Sequence, residues 1–337
     1  MERYIVIDNY CGWPKLTLMP DGGRSFSFHG VPILPKAEES RIDEAAGVGH
    51  RGYYHTIVDR RTAKENKSPS LAHSEDSGKT FVVDQEYFTV DGVDSTMLFP
   101  YGSVIRLPDN KLAFNFWLPV HGGAGQSGTP DAHAAYICLS GDDGRTWSHA
   151  YRIDTGINET ALLFYDDNNG IAVARMDEGC RRQANVRRDA GGGMRLYRTA
   201  DGGRSWTCEQ SVSGPGMLPA HLLKLSTGET LMSYGMRYAN VHGVAVMLSP
   251  DNGLTWGEPS LLVEYPAADS GYPSTVEMPD GSLVTAYYSR GNQYHTRYYV
   301  GTILWRTHEL MESRWIGRPA KFWYGTDEEI TYDWRNR

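Results

Sequence analysis

The sequence contains few cysteines and no pattern that would bind a metal ion. Only four of its 337 residues are cysteine, and no two of them have the C-x-x-C spacing of zinc or redox sites. The histidines at positions 29, 50 and 55 match no ligand spacing either. We therefore expect free thiols, no metal and no other cofactor.

Long apolar runs and a basic excess are also absent. No hydrophobic stretch approaches the roughly 20 residues that span a bilayer, and a formal net charge of −8 gives no electrostatic footprint for nucleic acid. We expect neither a membrane nor a nucleic-acid partner, and the sequence indicates no particular oligomeric state. Residues 1–13 lack the features of a signal peptide. This favours a cytoplasmic location, although a secreted protein after removal of its signal peptide would present the same sequence.

Turn-forming and aromatic residues are abundant, and an eight-residue motif recurs four times. The chain has 37 Gly, 21 Tyr and 9 Trp, which is typical of many short strands joined by tight turns. The motif reads SEDSGKTF (74–81), SGDDGRTW (140–147), TADGGRSW (199–206) and SPDNGLTW (249–256). Its Asp can accept backbone N–H bonds across a turn, its Gly supplies a positive φ and its aromatic residue anchors the turn. We interpret these residues as structural.

Hairpins interleave with this motif and predict the fold. Turn residues separate period-two apolar runs in LTLMPDGGRSFSF, VIRLPDNKLAFNFW, ALLFYDDNNGIAVAR, LLKLSTGETLMSYGMR and TVEMPDGSLVTAYYSR. MPDGGRSF, at 19–26, resembles the eight-residue motif, but its place in the repeat makes it a hairpin. A hairpin, a third strand, a motif and a fourth strand make one four-stranded antiparallel blade.

The repeats predict a single all-β domain over residues 1–337, folded as a β-propeller. Five hairpins give five blades, and pairing of Met1 to Tyr10 with Lys321 to Trp334 would add a terminal one. The sequence therefore predicts six blades, with five as the alternative. A long loop excursion is expected at about 28–71, where no clear strand precedes Tyr53.

Residues at the start of each innermost strand are expected to meet at one mouth of the central channel. These starts place Trp13, Tyr101, Glu159, His221 and Tyr272 there. The ends of the following strands, or the loops after them, carry Arg175, Arg237 and Arg290.

The recurring motifs resemble the Asp-boxes, or bacterial neuraminidase repeats, of the sialidase superfamily. NETALLFYDDNNGIAVAR resembles the segment in which a Glu opens a blade and an Arg closes its second strand, which implies Glu159 and Arg175. LLKLSTGETLMSYGMR resembles the next blade and implies Arg237 as a second carboxylate-binding arginine. SGYPSTVEMPDGSLVTAYY resembles the blade that opens with the nucleophile, which implies Tyr272.

The sequence departs from the sialidase pattern at two places. Sialidases open their first blade with Tyr-Arg-Ile-Pro, whereas this chain has Cys-Gly-Trp-Pro at 11–14, so the first arginine of the triad is missing. Arg41, Arg51 or Arg290 would have to replace it from loops. The acid of the long first-blade loop has three candidate counterparts, of which we favour the first: Asp43, Asp59 and Asp131.

The resemblance implies a retaining exo-glycosidase that acts on a terminal acidic sugar. Guanidinium groups bind the carboxylate of sialic acid, and a tyrosine hydroxyl activated by a glutamate avoids the repulsion that a carboxylate nucleophile would meet. We expect Tyr272 as nucleophile, Glu159 as its base and Asp43 as acid. Tyr101, His221, Arg51, Arg175, Arg237 and Arg290 are expected to bind the carbohydrate. The alternatives are a glycosidase or lyase on another, uronic glycan, and a non-catalytic carbohydrate-binding propeller.

Overall fold

The computed structural model describes residues 1–8, 10–18, 24–32, 72–73, 82–83, 98–102, 104–120, 132–177, 192–238, 241–265, 270–290 and 298–312. Over these ranges the chain is almost entirely β-structure, and one 3-10 helix follows the last strand at Thr307–Glu312. No helix within these ranges has the length and apolar character needed to cross a membrane. The strands are β1 (Glu2–Asp8), β2 (Tyr10–Leu18), β3 (Arg24–Pro32), β4 (Ala72–His73), β5 (Val82–Val83), β6 (Phe99–Pro100), β7 (Ile105–Arg106), β8 (Leu112–Val120), β9 (Ala132–Ser140), β10 (Tyr151–Thr155), β11 (Ile157–Phe164), β12 (Gly170–Met176), β13 (Met194–Thr199), β14 (Thr207–Ser211), β15 (Met217–Lys224), β16 (Thr230–Tyr238), β17 (Val241–Ser249), β18 (Ser260–Tyr265), β19 (Ser270–Glu277), β20 (Leu283–Arg290) and β21 (Tyr298–Trp305).

These strands form four antiparallel propeller blades. Three follow chain order: β11 to β14, β15 to β18, and β6 to β10, in which β6 and β7 share the innermost position and both pair with β8. The fourth, which we call the closing blade, has the order β19, β20, β21, β1. Two further sheets of two strands each, β2–β3 and β4–β5, complete the described β-structure.

The prediction of six blades and its alternative of five are both wrong for the described residues, which build four complete blades. The physical reason lies in the N-terminal strand. β1 pairs with β21 from Glu2 opposite Leu304 to Asp8 opposite Tyr299, and so it supplies the outer strand of the closing blade. It therefore adds no sixth blade. The predicted partner segment, 321–334, lies outside the described residues.

The predicted hairpins are confirmed. β7–β8, β11–β12, β15–β16 and β19–β20 each form an antiparallel pair across the expected turn. β2 pairs with β3 from Tyr10 opposite Pro32 to Leu18 opposite Arg24, so the two strands of the first predicted hairpin do pair. β3 also continues to Pro32, so the predicted excursion at 28–71 begins too early; residues 33–71 lie outside the description.

Each described Asp-box is a turn closed by its own side chains. In the box that follows β9, Asp142 accepts hydrogen bonds from the Thr146 N–H (2.9 Å), the Thr146 hydroxyl (2.6 Å) and the Ser140 hydroxyl (2.8 Å). Gly144 has a φ of 84° and its carbonyl accepts the Trp147 indole N–H at 3.1 Å. The boxes join third to fourth strands, whereas innermost strands begin at the opposite end of each blade. They are therefore structural and lie away from the channel mouth.

The hydrophobic core lies between neighbouring blades. Alternate residues of a strand face opposite neighbours: Val173 of β12 packs with Met232 of β16, whereas Ala172 and Ala174 pack with Ile137 of β9. β2 continues this pattern on the closing blade, because Leu16 packs on Val276 and Val284 and its N–H donates to the Ser274 hydroxyl at 3.0 Å. Each blade is thus fixed by contact with the next.

Replacing Asp142 by Asn is expected to weaken the acid sensitivity of folding. The hydrogen bonds from Thr146 and Ser140 lower the pKa of Asp142 to about 2, below the ~3.9 of an unfolded aspartate. A depressed pKa stabilises the fold above the unfolded value, and this stabilisation is lost as the pH falls through the folded value. Between about pH 5 and pH 2, the free energy of unfolding should therefore fall less steeply in Asp142→Asn than in the wild type.

Urea titrations at several pH values measure this slope. Asp167→Asn is the matched control, because Asp167 is an exposed aspartate in the β11–β12 turn. Equal slopes in the wild type and Asp142→Asn would contradict the prediction.

Candidate active site

A two-residue bulge opens the innermost strand of three blades. Two residues face one on the neighbouring strand at 158–159 of β11, at 218–219 of β15 and at 272–273 of β19. A bulge redirects the side chains of its strand and is common beside functional sites. Here the bulges carry Glu159 and Tyr272 into the channel, where the two side chains meet.

Tyr272, Glu159 and Arg175 form a hydrogen-bonded group across the mouth. The Tyr272 hydroxyl donates a hydrogen bond to Glu159 Oε1, and Arg175 Nη1 donates to Oε2 at 2.7 Å. Arg175 is the β12 residue that faces the Asn158–Glu159 bulge. The side chains of Glu159 and Arg175 are only 15% and 20% exposed. A mostly buried carboxylate is thus paired on both oxygens, as its charge requires.

The backbone that presents Tyr272 is unusual. Gly271 has a φ of 121° and Tyr272 a φ of 48°, a left-handed conformation that bulky side chains rarely adopt. Gly235 of β16 leaves room for the backbone of Gly271 and Tyr272 in this conformation. A Cβ on Gly235 would lie 2.7 Å from the Leu218 carbonyl oxygen and 3.1 Å from the Gly271 Cα. Conformations of this kind persist where the surrounding structure enforces them, and they cluster at functional sites.

Arg237 lies against the other side of Tyr272. Its Nε donates to the Ser270 carbonyl at 2.9 Å and its Nη2 to the Tyr288 hydroxyl at 3.1 Å. The guanidinium carbon is 5.7 Å from the centre of the Tyr272 ring, within cation–π range. The Tyr288 ring is 5.8 Å from that of Tyr272. Arg237 is therefore held in one orientation beside the phenol.

Tyr101 and His221 line the channel beside this group. The Tyr101 ring is 6.4 Å from the Tyr272 ring, and its hydroxyl donates to the Ala220 carbonyl at 3.2 Å. The Thr275 N–H donates to His221 Nδ1 at 3.4 Å, which places this imidazole between β15 and β19. Both side chains are therefore positioned by the backbone of an innermost strand that belongs to another blade.

Both tyrosines of the mouth are kept protonated at neutral pH. Burial, and then the negative charge of Glu159, raise the pKa of Tyr272 well above that of an ordinary phenol, against the opposing effect of Arg175 and Arg237. Burial, followed by the charge of Glu159, also raises the pKa of Tyr101. A proton leaving Tyr272 needs an acceptor, and Glu159 is already hydrogen-bonded to it.

The structure therefore brings together five of the residues selected from the sequence: Tyr101, Glu159, Arg175, Arg237 and Tyr272. His221 lies next to them. Arg290 ends β20, where its backbone pairs with Tyr298. Asp43 and Arg51 lie outside the described residues, as do the alternatives Arg41, Asp59 and Asp131. The chemical roles of all these residues stay predictions.

Sequence reasoning missed two residues that support the group, Tyr288 and Asn158. Tyr288 lies near the end of a second strand, and at those ends the sequence pattern pointed only to arginines. Asn158 precedes Glu159: its Oδ1 accepts the Glu159 N–H at 2.7 Å and its Nδ2 donates to Asp177 Oδ1 at 2.5 Å. The sequence signal that could have identified Asn158 was its position in NETAL, at the start of an innermost strand. No group of three or more His, Cys, Asp or Glu suited to a metal occurs among the described residues.

Fold and site together define a propeller of Asp-box repeats with a tyrosine, a carboxylate and two arginines at its channel mouth. A family model described as "BNR repeat-like domain" matches residues 53–285. This is more than half of the chain, which therefore belongs to the BNR repeat-like family. No curated protein matches the chain.

Solved structures share the fold at low sequence identity. A protein of unknown function from Dyadobacter fermentans is 17% identical with a TM-score of 0.58, covering 87% of this chain and 76% of that one. A mutant of the NanB sialidase from Streptococcus pneumoniae is 13% identical with a TM-score of 0.50, covering 72% of this chain and 36% of that one. A Hadza microbial sialidase is 19% identical, with a TM-score of 0.49 and coverage of 73% and 47%. This chain thus spans less than half of either sialidase, and the similarities to the Dyadobacter and NanB structures show the fold alone.

Gly235→Ala is expected to disturb the presentation of Tyr272. The added methyl group would press on the Leu218 carbonyl and on Gly271, both of which are backbone, and overpacking of this kind costs about 1–3 kcal/mol. We expect a lower free energy of unfolding in urea and a displaced Gly271–Tyr272 segment in a crystal structure of the variant. Gly141→Ala is the control, because nothing lies within 4 Å of a Cβ there. Equal stability of the two variants would argue against the tight approach at Gly235.

Proposed function

We propose that the protein is a retaining, sialidase-like exo-glycosidase that removes a terminal acidic sugar, sialic acid, from glycans. The observation that carries the proposal is the hydrogen bond from the Tyr272 hydroxyl to Glu159, whose second oxygen binds Arg175. A phenol bonded to a mostly buried carboxylate is the arrangement in which a nucleophile and its base share one proton.

The chemistry of the substrate accounts for a tyrosine in this place. Sialic acid carries a carboxylate on its anomeric carbon, which repels a carboxylate nucleophile, whereas a phenol approaches uncharged. The raised pKa of Tyr272 keeps it protonated until it reacts. In the proposed first step, the Tyr272 oxygen bonds to the anomeric carbon, its proton passes to Glu159, and the bond to the leaving sugar oxygen breaks. In the second step water attacks the anomeric carbon, the bond to the Tyr272 oxygen breaks, and Glu159 returns its proton to that oxygen. The proton of the water passes to the acid that had protonated the leaving sugar oxygen.

The charges of the mouth favour an acidic sugar. Arg175 and Arg237 each place a guanidinium group against Glu159 or Tyr272. Guanidinium groups bind carboxylates with directed hydrogen bonds, so these two are proposed to hold the sugar carboxylate.

The leaving oxygen needs a proton, for which we propose Asp43. Tyr101 and His221 are proposed to contact the sugar from the channel wall. Arg51 and Arg290, the last residue of β20, are proposed to complete the carboxylate site in place of the missing arginine.

A uronic-acid glycan is the second candidate substrate. β2 carries Gly12 and Trp13 where sialidases carry the first arginine of their triad. A uronide places its carboxylate away from the anomeric carbon, so it has less need of that arginine.

Tyr272→Phe and Glu159→Gln are each expected to lower kcat/KM by at least about 10²-fold, the usual contribution of a proton-transfer group. The assay is hydrolysis of 4-methylumbelliferyl sialoside beside matching uronides and neutral glycosides. Tyr197→Phe is the control, because the Tyr197 hydroxyl also donates to a carboxylate, that of Asp154 at 2.9 Å, in a pair that joins β13 to β10 and includes no residue of the mouth group. This control should retain activity.

Two results would contradict the proposal. Full activity in Tyr272→Phe would exclude it as nucleophile. Binding of acidic glycans without cleavage of any substrate would instead favour a non-catalytic carbohydrate-binding propeller.

A further inference from the structure

An aromatic pair lies beside the mouth on the β6–β10 blade. Phe99 of β6 and Trp117 of β8 are cross-strand partners, and their rings stack with centroids 4.4 Å apart and planes 12° apart. Phe99 is 36% exposed, one of the few large hydrophobic side chains of the described residues that reach the surface. An exposed aromatic face beside a polar cleft is a common element of ligand sites.

A histidine with a fixed tautomer adjoins this pair. The His133 ring packs edge-on against Trp117 at 4.7 Å. Its Nδ1 is 2.9 Å from Asp177, which also accepts the His133 backbone N–H at 2.8 Å. An ionised carboxylate only accepts hydrogen bonds, so Nδ1 carries the proton and Nε2 is the polar atom that the ring presents elsewhere.

The cluster of Phe99, Trp117 and His133 is continuous with the candidate active site. Phe99 precedes Tyr101 by two residues, a span of about 7 Å along a strand, and the Tyr101 ring contacts that of Tyr272. On the other side, Asn158 links Asp177 to the backbone of Glu159. Starts of first strands and ends of second strands meet at this end of the blades, so both sites share one mouth.

We propose that Phe99, Trp117 and His133 form a second sugar subsite, which binds the neutral sugar ring that leaves when the acidic sugar is cleaved. The inference rests on the proposed function. The apolar face of a pyranose would stack on the exposed aromatic ring, and a hydroxyl would hydrogen-bond to His133 Nε2. The Asp177 carboxylate lies next to the cluster, bonded to His133, and it disfavours a second acidic ring. The arginines of the first subsite thus favour the acidic sugar, and the carboxylate beside the second subsite favours the neutral sugar.

Phe99→Ala tests the subsite with two substrates that differ only in the leaving group. Sialyllactose places a galactose next to the acidic sugar, whereas sialyl fluoride releases fluoride and has no second ring. We expect KM for sialyllactose to rise about three- to tenfold, the scale of one lost aromatic contact, while KM for sialyl fluoride is unchanged. His133→Gln should act in the same direction. Leu254→Ala is the control, because Leu254 is 60% exposed on an Asp-box turn at the other end of its blade.

The outcomes separate this proposal from the proposed function. If Phe99→Ala and His133→Gln alter the two substrates equally or not at all, the subsite is refuted while the glycosidase stands. If the wild type cleaves neither compound, binding of lactose to the subsite is measured by saturation-transfer NMR. A lactose signal that disappears in Phe99→Ala supports the subsite without the activity, and no signal in the wild type refutes it. Thermal midpoints of the variants show that each one is folded.

Discussion

Backbone pairing between the two ends of the described chain holds the closing blade in place. β1 begins at the second residue, yet it forms the outer strand of a sheet whose other strands come from residues 270–305. β2, immediately after it, packs on the inner strands of the same blade. Tyr272 opens the innermost of these strands, so its distance from Glu159 depends on contacts that enclose the blade from both sides. The site is therefore a product of ring closure as much as of its own residues.

Electrostatic compensation then determines the arrangement inside the mouth. Glu159 is largely withdrawn from water, and a carboxylate in that position is stable only when its oxygens are bonded to donors. Arg175 and Tyr272 provide those bonds from two different blades, while Asn158 fixes the backbone N–H of Glu159 itself. Geometry and charge support one another here. The bulges bring the groups together, and their hydrogen bonds favour the bulged conformation.

The sequence predicted what depends on local chemistry. The Asp-box turns, the hairpins and the choice of Glu159, Arg175, Arg237 and Tyr272 as mouth residues all follow from short motifs or from their resemblance to a family. It did not predict the contacts of Asn158 with Asp177 or of Arg237 with Tyr288, because these depend on strand register and on the spacing between blades. The predicted number of blades was wrong for a related reason: the sequence of an alternating strand such as β1 does not indicate which strand it will pair with.

The pairing of Tyr272 with Glu159 also bears on how such a propeller can evolve. The two residues belong to blades that are not neighbours, since the β15–β18 blade lies between them in the chain, with its own bulge at the same place. Rings of repeats readily gain or lose a unit by duplication or deletion within a gene. Here an inserted or deleted unit between the two blades would turn the phenol away from its carboxylate. A contact of a few atoms thus constrains the copy number of a repeat that spans dozens of residues.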